Sequence, residues 1–136
     1  MFPGDTSMIK TNILYLCLAL KPNIKMRYTK HIFVCTNQRA PGTRICCGEQ
    51  HGLALVAEFK KQIKDLGLNT EIRAQRAGCF ETCELGPSVV IYPEGVFYGK
   101  VQLADVKEIV NEHVVNDRIV ERLQMDLDIL KELQRK

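Results

Sequence analysis

Residues 48–67, GEQHGLALVAEFKKQIKDLG, constrain the fold more than any other stretch of this chain. Val56, Phe59, Ile63 and Leu66 recur three or four positions apart, while Lys60, Lys61 and Lys64 fall off that face. The spacing predicts an amphipathic helix with one side for a core. Gly67 stands where a helix-ending glycine belongs. Two runs with strand character flank it, HIFVC at 31–35 and LNTEIRAQ at 68–75. Strand, helix and strand in that order predict a parallel pair joined by a right-handed crossover.

The second half of the chain has a different rhythm. SVVIYPEGVFYGKV, residues 88–101, reads as a hairpin, two β-branched and aromatic runs about the turn PEG. LADVKEIVNEHV, residues 103–114, reads as a second amphipathic helix with Val106, Ile109, Val110 and Val114 on its apolar side. In the tail from Val115 to Lys136, Val120, Leu123, Leu127 and Leu130 keep helical spacing, which predicts a third helix packed on the domain or on a second chain. The order β-α-β, then β-β-α, predicts an α/β fold: a small mixed sheet backed by helices, the thioredoxin-like plan, with an added C-terminal helix. The expected organisation is an extension over 1–25, a folded domain over 26–115 and a helical extension over 116–136.

The chain has 136 residues and a 46% hydrophobic content, enough for a core without disulfide staples. Its net charge is +3, but residues 1–30 hold five bases and one acid, so the other 106 residues are close to neutral. A nucleic-acid binder would carry a basic stripe on its folded part; none is expected here. The apolar run ILYLCLAL, residues 13–20, is too short to span a bilayer, and KPNIK follows it without a small-residue cleavage site. The expectation is a cytoplasmic protein, in a compartment where clustered cysteines bind metal or do redox work.

There are six cysteines. Cys17 sits in the apolar N-terminal run and reads as a small hydrophobe. The other five fall at strategic points: Cys35 ends a strand, Cys46 and Cys47 precede the helix, and Cys79 and Cys83 share a loop. Taking Cys47, the spacing is C-x11-C-x31-C-x3-C, with two loops at one end of the sheet supplying two thiolates each. Four thiolates suit zinc, a single iron or an iron–sulfur cluster. Structural zinc sites favour tight knuckles in both halves, whereas a two-iron cluster is broader and accepts widely spaced ligands. A dithiol oxidoreductase is the rival on this plan, but such enzymes place Cys-x-x-Cys at the helix start. A vicinal pair closes only a strained disulfide ring.

HIFVCTNQRAPG, the CG opening the helix, GCFETCELGP and VVIYPEGVFYGKV together resemble the thioredoxin-like [2Fe–2S] ferredoxins, over about residues 30–115. That family is similar in turn to the cluster-bearing small subunit of bacterial hydrogenases and NADH dehydrogenases. The resemblance implies one [2Fe–2S] cluster per chain, held by Cys35, Cys47, Cys79 and Cys83. It also implies a one-electron carrier without substrate turnover, serving a reductase and an acceptor, commonly as a homodimer. The first cysteine loop is about one residue shorter than the family's, so Cys46 stands as the alternative to Cys47. Consecutive residues point in different directions, and Cys47 lies nearer the helix start, where N–H groups favour a thiolate. Cys47 is therefore expected as the ligand.

The neighbours fit an anionic centre. Gly48, Gly78 and Gly86 are expected to let backbone approach it. Arg39, Arg44, Arg73 and Arg76 lie near the cysteine loops in sequence, either raising the reduction potential, steering an acidic partner or simply meeting solvent. His31, His51 and His113 read as structural or exposed, and Glu81, Glu84 and Glu94 as turn and surface residues. Two other functions remain in view: an accessory electron-transfer subunit of a larger redox complex, and a cluster-based redox or iron sensor. A sensor would carry an output element such as a basic DNA-reading helix, and the mixed-charge tail lacks one.

Overall fold

The computed structural model describes residues 25–40, 42 and 46–135. The expected N-terminal extension up to residue 24, with Cys17, and Arg44 lie outside them. Four strands, β1 (Lys30–Cys35), β2 (Ile72–Ala77), β3 (Val89–Tyr92) and β4 (Val96–Tyr98), form one sheet in the order β2-β1-β3-β4. β1 runs parallel to β2 and antiparallel to β3, and β3 runs antiparallel to β4. The mixed α/β sheet agrees with the expected plan.

Helix α1 (Glu49–Asp65) makes the crossover. It buries Gly52, Leu55, Val56, Phe59 and Ile63. Leu66, expected on that face, is instead 47% exposed. The helix stops at Asp65, and Gly67 at φ 71° turns the chain. Gly67 N–H donates to Lys64 O and Leu68 N–H to Ile63 O, so the closing turn swings Leu66 outward and brings Leu68 onto the core. Strand β2 begins later than its sequence pattern suggests, because Glu71 N–H and Ile72 N–H both donate back to Leu68 O in that same turn.

Helix α2 (Val106–Ile109) continues as a wider π-turn over Val110–Val115. Val106, Ile109, Val110 and Val114 are buried as expected, against Tyr98, Val101 and the face of α1 that carries Phe59. The tail is not one helix. Asp117 adopts φ 54°, and the next residues run along β4: Gly99 N–H donates to Leu123 O and Met125 N–H to Phe97 O. The open edge of β4 has unpaired backbone groups to satisfy, and this pairing outweighs the helical spacing. Val120 and Leu123 enter the main core, and α3 (Leu127–Gln134) starts only where Asp126 Oδ1 accepts the N–H groups of Asp128 and Ile129. Side chains alternate along β4, so Phe97 points away from the core that holds Val96 and Tyr98. There it borders a smaller cluster of Leu85, Met125 and Leu130.

A polar network holds the end of the sheet away from Cys35. Lys30 is 6% exposed, and its Nζ lies 2.6 Å from both Glu94 Oε1 and Asp117 Oδ1. Glu94 Oε2 lies 3.0 Å from His113 Nε2, and His113 Nδ1 lies 2.7 Å from the Tyr98 hydroxyl. Val120 N–H donates to that hydroxyl, which leaves its own proton for Nδ1 and puts the imidazole proton on Nε2, facing Glu94. Glu94, expected as an ordinary surface turn residue, is thus the hub joining β1, the hairpin and the chain after α2.

Candidate metal centre

Sheet register brings the cysteine loops together. Cys35 is opposite Ala77 at the end of the β1–β2 ladder, and its N–H donates to Ser88 O just before β3. The loop after β1, the loop after β2 and the entry to β3 therefore share one end of the sheet. The N-terminus of α1 is drawn onto the same place. Gly48 N–H donates to Asn37 O, and Glu49 N–H to Gln38 Oε1.

Two glycines make this closeness feasible. A Cβ on Gly52 would lie 2.4 Å from Cys35 O, so only a glycine lets the first turn of α1 rest on the end of β1. A Cβ on Gly86 would lie 2.7 Å from Cys47 Sγ. Gly86 thus meets the expectation of close approach. A Cβ at Gly48 or Gly78 would meet no other atom of the described chain closer than 3.9 Å. Gly48 is needed for its φ of 88°, a left-handed turn into the helix that L side chains rarely adopt. The role of Gly52 was missed in the sequence, although a small residue four positions after Gly48 on the same helix was a visible signal.

The thiols gather as two pairs. Cys47 is 8% exposed and lies beside Cys35, which is 1% exposed, with Ser88 Oγ 3.9 Å from its sulfur. Cys79 and Cys83 place their sulfurs 3.3 Å apart. Cys46 belongs to neither pair; its sulfur accepts the Arg39 backbone N–H at 3.5 Å. Among the described residues, no three His, Cys, Asp or Glu side chains are grouped to hold a metal ion. The five described cysteines are free thiols.

The two pairs differ in charge environment. Burial pushes the Cys47 thiol up to about 11, against weaker opposition from Ser88. Burial also works against ionisation at Cys79, but the Glu81 N–H at 3.2 Å, Cys83 and Arg39 together hold that thiol below its ordinary value. Cys83 is raised, first by burial, despite Arg39. Arg39 reaches both, with Nη1 3.0 Å from Cys83 Sγ and Nη2 3.2 Å from Cys79 Sγ. Of the other described arginine candidates, Arg76 faces Glu49 at 3.8 Å, and Arg73 lines a groove with Lys60 and Lys64. His31 bonds Gln75, His51 bonds Val101 O, and His113 lies in the polar network.

No protein-family model matches the chain. A [2Fe–2S] ferredoxin of Clostridium pasteurianum is 42% identical over 96 residues, spanning 70% of this chain and 94% of that protein. One from Aquifex aeolicus (strain VF5) is 39% identical over 98 residues, spanning 69% and 86%. The chain belongs to the thioredoxin-like [2Fe–2S] ferredoxins. The solved thioredoxin-like [2Fe–2S] ferredoxin from Aquifex aeolicus agrees in fold, with a TM-score of 0.68 at 37% identity, covering 73% of this chain and 98% of that one. Its Cys55Ser variant gives 0.67 at 36% identity, covering 71% and 98%.

Proposed function

We propose that Cys35, Cys47, Cys79 and Cys83 ligate the cluster, the first two on one iron and the last two on the other. As a [2Fe–2S] ferredoxin the chain is an electron carrier with one [2Fe–2S] cluster. The observation that carries the residue assignment is the pairing itself. A single tetrahedral ion wants its thiolates converging on one point, whereas a two-iron cluster takes two at each end. Two separate pairs, at the meeting of three loops, fit the second donor set.

When bound, the cluster supplies a one-electron couple. The rest is done by the protein. Cys35, Cys47 and Cys83 are nearly excluded from solvent, which keeps water from the inner ligands. Cys79 is the more exposed member of the set and offers the short path to a redox partner. Burial holds the Cys47 and Cys83 thiols above their ordinary value, so loading releases protons and tightens as pH rises. All-thiolate ligation points to a midpoint in the negative half of the roughly −700 to +450 mV range of such clusters.

The chain exchanges electrons with redox partners and turns over no substrate of its own. A homodimer is part of this reading, supported by Ile129 and Leu133, which leave an exposed apolar stripe on α3. So are a ferredoxin domain over 26–115, with 116–136 folded onto it, and a cytoplasmic location. No helix among the described residues is long and apolar enough to cross a membrane. The test is anaerobic purification with metal and sulfide analysis. Iron and acid-labile sulfide at about two each per chain are expected, with a rhombic EPR signal appearing only on reduction. Stoichiometric zinc without sulfide, from iron-replete cells, refutes the reading. Sedimentation at micromolar concentration decides the dimer.

A further inference from the structure

We propose that the Arg39 guanidinium is the residue that tunes this carrier: it spans the sulfurs of Cys79 and Cys83 and raises the reduction potential by stabilising the added electron at that end of the cluster. The inference rests on the ligand assignment above for those two cysteines.

The geometry singles out Arg39 from the three described candidates, Arg39, Arg73 and Arg76. Its two terminal nitrogens reach two different sulfurs at 3.0 and 3.2 Å, and the sulfurs lie 3.3 Å apart. A planar guanidinium fork matches such a pair of acceptors, which a lysine ammonium does not. The contact joins loops 40 and 44 residues apart in sequence, and the backbone N–H of the same residue also holds Cys46 Sγ. Arg39 is thus fixed by its own loop as well as by the sulfurs. Among the described residues, the groups that act on Cys47 are Cys35 and the polar Ser88, with no cation beside them. The two ends of the site are electrostatically unequal for that reason.

Reduction adds one electron from a donor protein and no proton, so the site becomes more negative by one charge. A fixed cation donating two N–H···S hydrogen bonds favours that product over the starting state. It favours it most at the sulfurs it touches. Arg76, 64% exposed and facing Glu49, has no such contact.

The test is potentiometric titration of the loaded protein with its EPR spectrum. Arg39→Gln keeps a polar side chain and removes the charge. The ratio of reduced to oxidised protein at a fixed potential should fall about tenfold, a midpoint lower by ~59 mV for one electron. Arg39→Lys keeps the charge and loses the fork, so its midpoint should fall between the two. Arg76→Gln should match the wild type. Unchanged midpoints in Arg39→Gln with a full cluster overturn the proposal, as does a wild-type midpoint in Arg39→Lys. Loss of the cluster from both Arg39 variants would make the residue one needed for assembly, and that also overturns it. A wrong ligand assignment shows itself separately, because Cys79→Ser would then retain the wild-type iron content and EPR spectrum.

Discussion

Gly86→Ala tests whether the Cys47 sulfur is the one held in the site. Gly86 has φ −71° and ψ 166°, which alanine adopts freely, so the backbone is no obstacle. The new methyl would sit 2.7 Å from Cys47 Sγ and 3.3 Å from Cys83 O. Ordinary van der Waals contact needs about 3.5–4.0 Å, so the sulfur or the loop must move by roughly 1 Å. Cys47 is walled in by Cys35 and Ser88 and cannot simply turn into solvent. Overpacking of this kind costs about 1–3 kcal/mol, which for a chain of this size is a melting temperature lower by ~4–12 °C. Gly78→Ala is the control, since nothing lies within 4 Å of its added methyl in the neighbouring loop. Thermal unfolding should separate the two variants, and the EPR spectrum of reduced Gly86→Ala should shift or lose intensity. Destabilisation with an unaltered spectrum would mean that Cys46, not Cys47, holds the iron. Behaviour identical to Gly78→Ala would refute the packing argument itself.

Four further outcomes are expected. Cys47→Ser should lose the cluster or change its EPR spectrum, while Cys46→Ser should leave both nearly unchanged; the reverse pattern would exchange their roles. Leu130→Ala empties part of the cluster formed with Leu85 and Met125 and should cost about 2–3 kcal/mol by denaturant titration, the low end for such truncations because α3 is free to resettle. Lys30→Met leaves Glu94 and Asp117 without their shared cation; charge-assisted hydrogen bonds are worth about 1.5–3 kcal/mol, and the loss should fall at or below the lower figure because Asp117 is largely open to solvent. Burial pushes the Glu94 carboxyl up, but Lys30 and His113 hold it below the ordinary value of 4.5. Its contribution is therefore present above that pH and lost as pH falls through the lower folded value, so the stability gap between wild type and Glu94→Gln should narrow in acid; a gap independent of pH would refute this.

Much of the architecture was legible because periodicity reports burial directly. Val56, Phe59 and Ile63 mark the core face of α1, and the PEG turn marks the hairpin; the structure agrees on both. Leu66 and the tail were misread for a shared reason. Spacing says which residues share a face if the helix continues, but not that the closing turn expected at Gly67 swings Leu66 outward, or that the free edge of β4 captures the tail. The polar network was invisible since its members are spread from Lys30 to Asp117, and nothing local to Glu94 or His113 shows that they meet.

The site divides along the same line. Sequence gives which cysteines stand at the ends of elements, and the register of β1 with β2 and β3 follows from the fold, so the gathering of three loops was foreseeable. Which sulfur faces inward was argued from the helix start, from the differing directions of consecutive residues and from the spacing of the family the chain resembles. The structure adds an independent constraint: Gly86 leaves room for one sulfur and Cys47 fills it, while Cys46 is turned toward the Arg39 backbone. The arginines show the opposite case. Four lay near the cysteines in sequence, and proximity along the chain could not rank them. Among the described arginines, Arg39 has both a loop that ends beside Cys46 and a side chain that crosses to Cys79 and Cys83. Arg76, three residues before Cys79, turns to Glu49 instead, because alternation along β2 puts it on the face of Ile72 and Ala74, toward the start of α1. A ligand can be read from where an element ends, but a tuning charge depends on where a side chain reaches, and that is settled by packing.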